Sequence, residues 1–142
     1  MVYDMMERAE PRGRSSESEK ITLNLGFVDL GQIDLLVREG FYANRSDFIR
    51  TAIRNQIDRH ADALNRSAAH HGFDLGMRRY DRAELEATRA AGRRLRIRVL
   101  GLATIAADVD PDLALATVES VVVLGSFVAS PEVKAALGDR IH

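Results

Sequence analysis

Lys20-Ile21-Thr22-Leu23-Asn24-Leu25-Gly26-Phe27, KITLNLGF, decides how the first half of this chain is read. Side chains alternate across a strand, so Ile21, Leu23, Leu25 and Phe27 fall on one face and Lys20, Thr22, Asn24 and Gly26 on the other. A strand by itself leaves its N–H and C=O groups unpaired, so this one needs a neighbour. Nothing nearby offers one, because both following segments have helical periodicity. Asp29-Leu30-Gly31-Gln32 is a capping-box pattern, and Leu30, Ile33, Leu36 and Val37 form one stripe of a helix expected over about 30–39, closed by Gly40 in the left-handed cap position. Phe41-Tyr42-Ala43 then turn the chain. Asn44 is the expected N-cap of a second helix, with Asp47 back-bonding and Phe48, Ile49, Ala52, Ile53 and Ile57 as its apolar stripe.

One strand and two short helices make about 40 residues, too few for a self-sufficient core without disulfides, metal or association. The chain has no Cys, which removes disulfides, thiolate catalysis and Cys-ligated zinc and fits a reducing cytoplasm. Association remains, and its simplest form pairs the strand antiparallel with its own copy, pooling the stripes of four helices beneath the ribbon.

KITLNL, the helix LGQIDLLVREG and the second helix opening NRSDFIRTAIRNQI together resemble the ribbon-helix-helix DNA-binding proteins of the Arc, MetJ and CopG type, over about residues 19–60. The resemblance implies an obligate homodimer that inserts a two-stranded ribbon into the major groove of a double-stranded DNA operator. Lys20, Thr22 and Asn24 would then reach base edges: Lys donates to guanine, Asn pairs with adenine, and Thr offers a hydroxyl or meets a thymine methyl. It also implies a phosphate held at the start of the second helix by Asn44, Arg45 and Ser46, where free N–H groups and a partial positive charge favour an anion. At Gly26-Phe27 the chain departs from the family pattern, since many relatives place a polar cap directly after the strand. A longer strand or a different start to the first helix is expected here.

The whole chain has 142 residues, 46% of them hydrophobic, and a net charge of -1. Its charge is unevenly spread, with nine Lys and Arg against five Asp and Glu in 61–100 and two against six in 101–142. A near-neutral total argues against broad nucleic-acid affinity, so DNA reading must rest on a few placed groups. Residues 1–18 are polar and broken by Pro11 and Gly13, the pattern of a flexible arm, and Arg8, Arg12 and Arg14 there offer charge to a polyanion. No leader and no membrane span is expected, which points to a cytoplasmic protein.

Residues 63–79 are expected as a helical extension and linker containing Gly72 and Gly76, leaving 19–62 as the DNA-binding domain and 80–142 as the C-terminal one. His60, His70 and His71 lack ligand-like spacing, so no metal site and no cofactor is expected. Asp81 and Glu84 form another capping box, before a helix ending at Gly92. RRLRIRVLG then alternates Arg94, Arg96 and Arg98 with Leu95, Ile97 and Val99, a strand whose basic face is expected to meet the acidic C-terminal segment.

The stretches IRVLGLATIAADVDPDLALA and VVVLGSFVASPEVKAAL repeat one pattern: a strand reaching Val-Leu-Gly, a second apolar run, then Pro opening a helix. Gly101 and Gly125 are expected at bends, and Asp110 and Ser130 as caps before Pro111 and Pro131. The fold class expected is therefore α+β: a ribbon-helix-helix homodimer followed by a small α+β module with an internal repeat, serving oligomerisation or an effector. No catalytic constellation is visible, so an enzyme is not expected. Two functions stay open, a transcriptional regulator expected to repress, and an antitoxin or interaction module whose C-terminal part binds a partner protein.

Overall fold

Residues 18–142 are described by the computed structural model, and they divide into two units, 18–67 and 68–142. The expected arm with Arg8, Arg12 and Arg14 lies outside the described residues up to position 17.

In the first unit, residues 18–26 have no regular secondary structure, and 20–25 have no strand neighbour among the described residues. Helix α1 (Phe27–Arg38) begins two residues before the expected Asp29 cap. Gly26 occupies the N-cap position in an extended conformation, φ -66° and ψ 154°, with no side-chain cap, and its carbonyl accepts from the Leu30 N–H at 3.0 Å. Asp29 therefore sits in the first turn, where its charge complements the helix dipole. The departure at Gly26-Phe27 is thus an earlier helix start and not a longer strand.

Gly40 closes α1 at φ +89°, with the Phe41 N–H reaching back to the Leu36 carbonyl at 3.0 Å, a left-handed termination suited to glycine. Tyr42 packs edge-on against Phe48 at 5.0 Å and pins the turn before α2 (Arg45–Arg59). After a break at His60, α3 (Ala61–His71) follows as a separate helix and not as a frayed extension of α2.

The second unit is a three-stranded parallel sheet in the order β1-β2-β3, with helices between and after the strands: β1 (Asp74–Tyr80), α4 (Arg82–Ala90), β2 (Leu95–Ile105), α5 (Pro111–Thr117), β3 (Val118–Val128) and α6 (Pro131–Leu137). Consecutive parallel strands joined by crossovers of one hand place every helix on the same face. Ile97, Val99, Ala103 and Ile105 of β2 accordingly join Leu85 of α4, Leu113 of α5 and Val133 of α6 in one buried core. The expected caps hold: Asp81, Asp110 and Ser130 accept from the N–H groups of Glu84, Leu113 and Val133 at 2.9, 2.8 and 3.1 Å. Buried Thr117 returns its hydroxyl to the Leu113 carbonyl at 2.7 Å, so it carries no unpaired polar atom.

Two expectations fail in this unit. Residues 74–79, expected as linker, belong to the strand Asp74–Tyr80, whose Leu75-Gly76 makes the repeat threefold. The glycines also do not turn the chain: Gly76, Gly101 and Gly125 stand side by side in register inside continuous strands, at φ +125°, +138° and +124°. Only glycine enters this conformation readily, and it lets the strand pass through still extended. A Cβ on Gly101 would run into the carbonyl oxygen of Gly76, and one on Gly125 into that of Gly101.

The basic face of β2 divides its partners. Arg96 pairs with Glu119 at 3.3 Å and Arg94 donates to the Leu115 carbonyl, both in the acidic segment as expected. Arg98 instead donates to the His71 carbonyl at 2.8 Å and lies over the Phe73 ring.

Candidate nucleic-acid interface

The candidate interface is built from the extended segment 20–25 and the turn into α2. Lys20, Thr22 and Asn24 are exposed, as base-reading groups must be. So are the alternate apolar residues, with Ile21 at 81% and Leu23 at 60% of full exposure. An extended segment with its alternate apolar residues this exposed has much of its apolar set in the wrong solvent.

Beside it the helices leave a groove of about 440 Å³, lined by Leu23, Leu25, Ile33, Leu36, Phe48 and Ile49 among others. Ile33 is the one buried residue of α1, and α2 has none. Ile53 and Ile57, on the expected apolar stripe, are exposed by half. The helices thus form with their periodicity intact and their apolar faces largely uncovered.

At the start of α2, the Asn44 side chain accepts from the Asp47 N–H at 2.8 Å, while the Asp47 carboxylate accepts from the Ala43 N–H at 2.9 Å. This reciprocal capping holds the turn and leaves the first-turn N–H groups of Arg45 and Ser46 pointing out of the helix end, where an anion is favoured. Arg45 is already engaged: its guanidinium forms a two-pronged pair with Asp34 of α1, both N···O distances being 2.8 Å. The hydrogen bond to Arg45 holds the Asp34 carboxyl below its ordinary value, and the same pair raises Arg45 further above its own. A planar guanidinium has five N–H donors, so this pairing orients Arg45 and leaves donors for another acceptor. Sequence reasoning misses this pair; Asp34, four residues after Leu30, borders the apolar stripe of α1, beside the face that meets α2.

No group of three metal-donor side chains comes together among the described residues; the His70 ring packs edge-on against His71, and His71 edge-on against Phe73. No helix among them is long and apolar enough to cross a membrane.

Residues 16–134 match the Ribbon-Helix-Helix transcriptional regulator family, a match that runs from the extended segment through β3 and into α6. The chain is also 36% identical over 44 residues, 31% of its own length and 80% of the relative's, to the transcriptional regulator CdrS of Halobacterium salinarum. No solved structure matches it. An extended polar-and-apolar segment, two helices with an Asn-capped turn between them and a match over most of the sequence agree, and the chain belongs to the ribbon-helix-helix transcriptional regulator family.

Proposed function

We propose that this protein is a homodimeric, sequence-specific DNA-binding regulator that represses transcription by laying an antiparallel β-ribbon, one strand from each chain, in the major groove. The observation that carries this reading is the segment Lys20–Leu25: it alternates polar and apolar residues, lacks a strand partner among the described residues, and adjoins a groove lined by its own Leu23 and Leu25. A second copy satisfies the backbone of both strands, turns Ile21, Leu23 and Leu25 into a shared core, and leaves Lys20, Thr22 and Asn24 outward in two-fold array.

The ribbon fits a major groove about 12 Å wide, and each well-made side-chain-to-base pair contributes about 1–3 kcal/mol of discrimination. Phosphates flanking the groove would lie at the N-terminal ends of the two α2 helices, held by the N–H groups of Arg45 and Ser46 and by the free donors of the Arg45 guanidinium, with Asn44 shaping the turn. Membership of a transcriptional regulator family and similarity to CdrS support the regulatory role.

The test starts by selecting bound sites from genomic DNA. Replacing Lys20, Thr22 and Asn24 together with Ala should then abolish preference for the selected operator while sedimentation still shows a dimer. Unchanged preference overturns the reading. Arg45→Ala should weaken binding to all sequences alike and reduce the salt slope by roughly one unit for each phosphate that the two chains no longer neutralise.

A further inference from the structure

Parallel sheets are ordinarily covered on both faces. In the second unit the helices cover one, and the other presents Leu75, Met77 and Leu124 at 74%, 61% and 59% of full exposure, with Leu100 and Leu102 half-buried between them. We infer that this helix-free face packs against the same face of a second copy of the chain, about a two-fold axis lying along the row of Gly76, Gly101 and Gly125. This pairing rests on the ribbon-joined dimer proposed above.

The face is complementary to itself. The glycines align in register, so positions can be counted outward from each of them. Leu75, Leu100 and Leu124 lie one residue before the row, and Met77, Leu102 and Ser126 one residue after. A two-fold axis along the row sets each residue before it opposite the one after it in the partner. Leu75 then meets Met77, Leu100 meets Leu102, and Leu124 meets Ser126.

Three positions out, Arg98 comes opposite Thr104 and Arg79 opposite Phe73, so neither cation confronts its own copy, and the Phe73 ring already lies beneath Arg98 of its own chain. The alternation of β2, whose other face carries Ile97, Val99, Ala103 and Ile105 into the core, fixes which residues point this way.

Area selects a tethered second copy over a free partner. Strands about 4.8 Å apart and rising about 3.3 Å per residue make a three-strand face of seven positions on the order of 300 Å². Stable association of separate proteins needs about 800 Å² from each partner. A patch this small retains a partner only when the partner is already held nearby, and a ribbon joining two chains supplies the second copy at about millimolar effective concentration.

The absence of Cys makes an introduced thiol unambiguous. In the full chain, L124C treated with a short bismaleimide should give at least tenfold more two-chain product than E132C, placed on the exposed side of α6. The yield should not fall on tenfold dilution while sedimentation still reports a dimer. Adding Leu75→Asp, at a position whose exposure makes it dispensable for the unit's own core, should cut that product at least tenfold without dissociating the dimer. A dimeric chain in which L124C reacts no better than E132C overturns this inference, leaves the ribbon reading standing and assigns the face to a different protein. A chain that sediments as a monomer at micromolar concentration overturns the ribbon reading, and this inference with it.

Discussion

The two units, 18–67 and 68–142, treat their apolar side chains in opposite ways. In 68–142, Leu85, Ile97, Val99, Val118 and Val121 are fully enclosed by their own chain. Among the described residues of 18–67 a single apolar side chain, Ile33, is buried, while Phe27 stands 92% exposed. Both have well-formed helices with Asx or Ser caps and clear amphipathic spacing, so local structure does not separate them. What separates them is closure: three strands hydrogen-bonded to each other complete a core, whereas an extended segment with no strand neighbour among the described residues cannot. Under the proposed dimer the first unit is half of a structure, whereas the second closes a core of its own with one bare face.

That contrast can be broken most sharply at Gly101. Gly101→Ala puts a Cβ against the Gly76 carbonyl at a φ of +138°, and the clash and the strain together should cost about 4 kcal/mol or more, unfolding the second unit with little effect on the first. Gly76→Ala has a similar backbone conformation but no atom within 4 Å of the new Cβ, so it should cost only the strain, about 1–3 kcal/mol. Denaturant unfolding followed by hydrogen exchange in each unit measures both; equal losses would show that close packing of the strands is not the reason for the glycine at 101.

A smaller effect tests the other side of the comparison. Under the proposed dimer the first unit's stability should fall by about 1.4 kcal/mol per tenfold dilution of dimer, while the second unit's own core is indifferent to concentration. Hydrogen exchange at two concentrations reads this unit by unit, and a first unit insensitive to dilution would contradict the shared core.

The smallest expected effect lies at Asp34. Its carboxyl is depressed by Arg45, so its contribution is present above the ordinary aspartate value of about 3.9 and disappears as pH falls through the lower folded value. Both side chains are half-exposed, so solvent screens the pair and the change is slight. Asp34→Asn should remove this part of the acid dependence of α1 and α2 and leave neutral-pH helicity nearly unchanged; an unaltered acid profile would show that the pair contributes nothing.

Much of this architecture is legible from residue spacing. Asn44, Asp81, Asp110 and Ser130 cap where their side chains reach the third N–H onward, a purely local rule. Helix α1 begins early because Gly26 caps with its backbone alone, which no side-chain pattern announces. Strand β1 is hidden for a tertiary reason: only Tyr80 of its seven residues is buried, so Asp74, Arg78 and Arg79 make it look like a linker. Its Leu-Gly pair, matching those at 100–101 and 124–125, is the usable signal, but its helix lacks the Pro that opens the other two. Gly101 and Gly125 suggest corners because glycine more often turns a chain than passes straight through a sheet. At the candidate interface, alternation places Lys20, Thr22 and Asn24 on one face and the family resemblance implies that they meet bases, whereas the Asp34–Arg45 pair depends on how α1 and α2 meet and cannot be read from either helix by itself.

The groups proposed to hold two chains together and those proposed to read DNA occupy opposite faces of one six-residue segment, and this separation has a genetic consequence. A chain with Ala at 20, 22 and 24 keeps Ile21, Leu23 and Leu25, so it still pairs with normal copies. Expressed at equal level with a normal allele, it would leave only about a quarter of dimers fully competent by random pairing. Loss of the reading face would therefore be inherited as a dominant defect, whereas loss of the apolar face, which removes the chain from the pool, would be recessive.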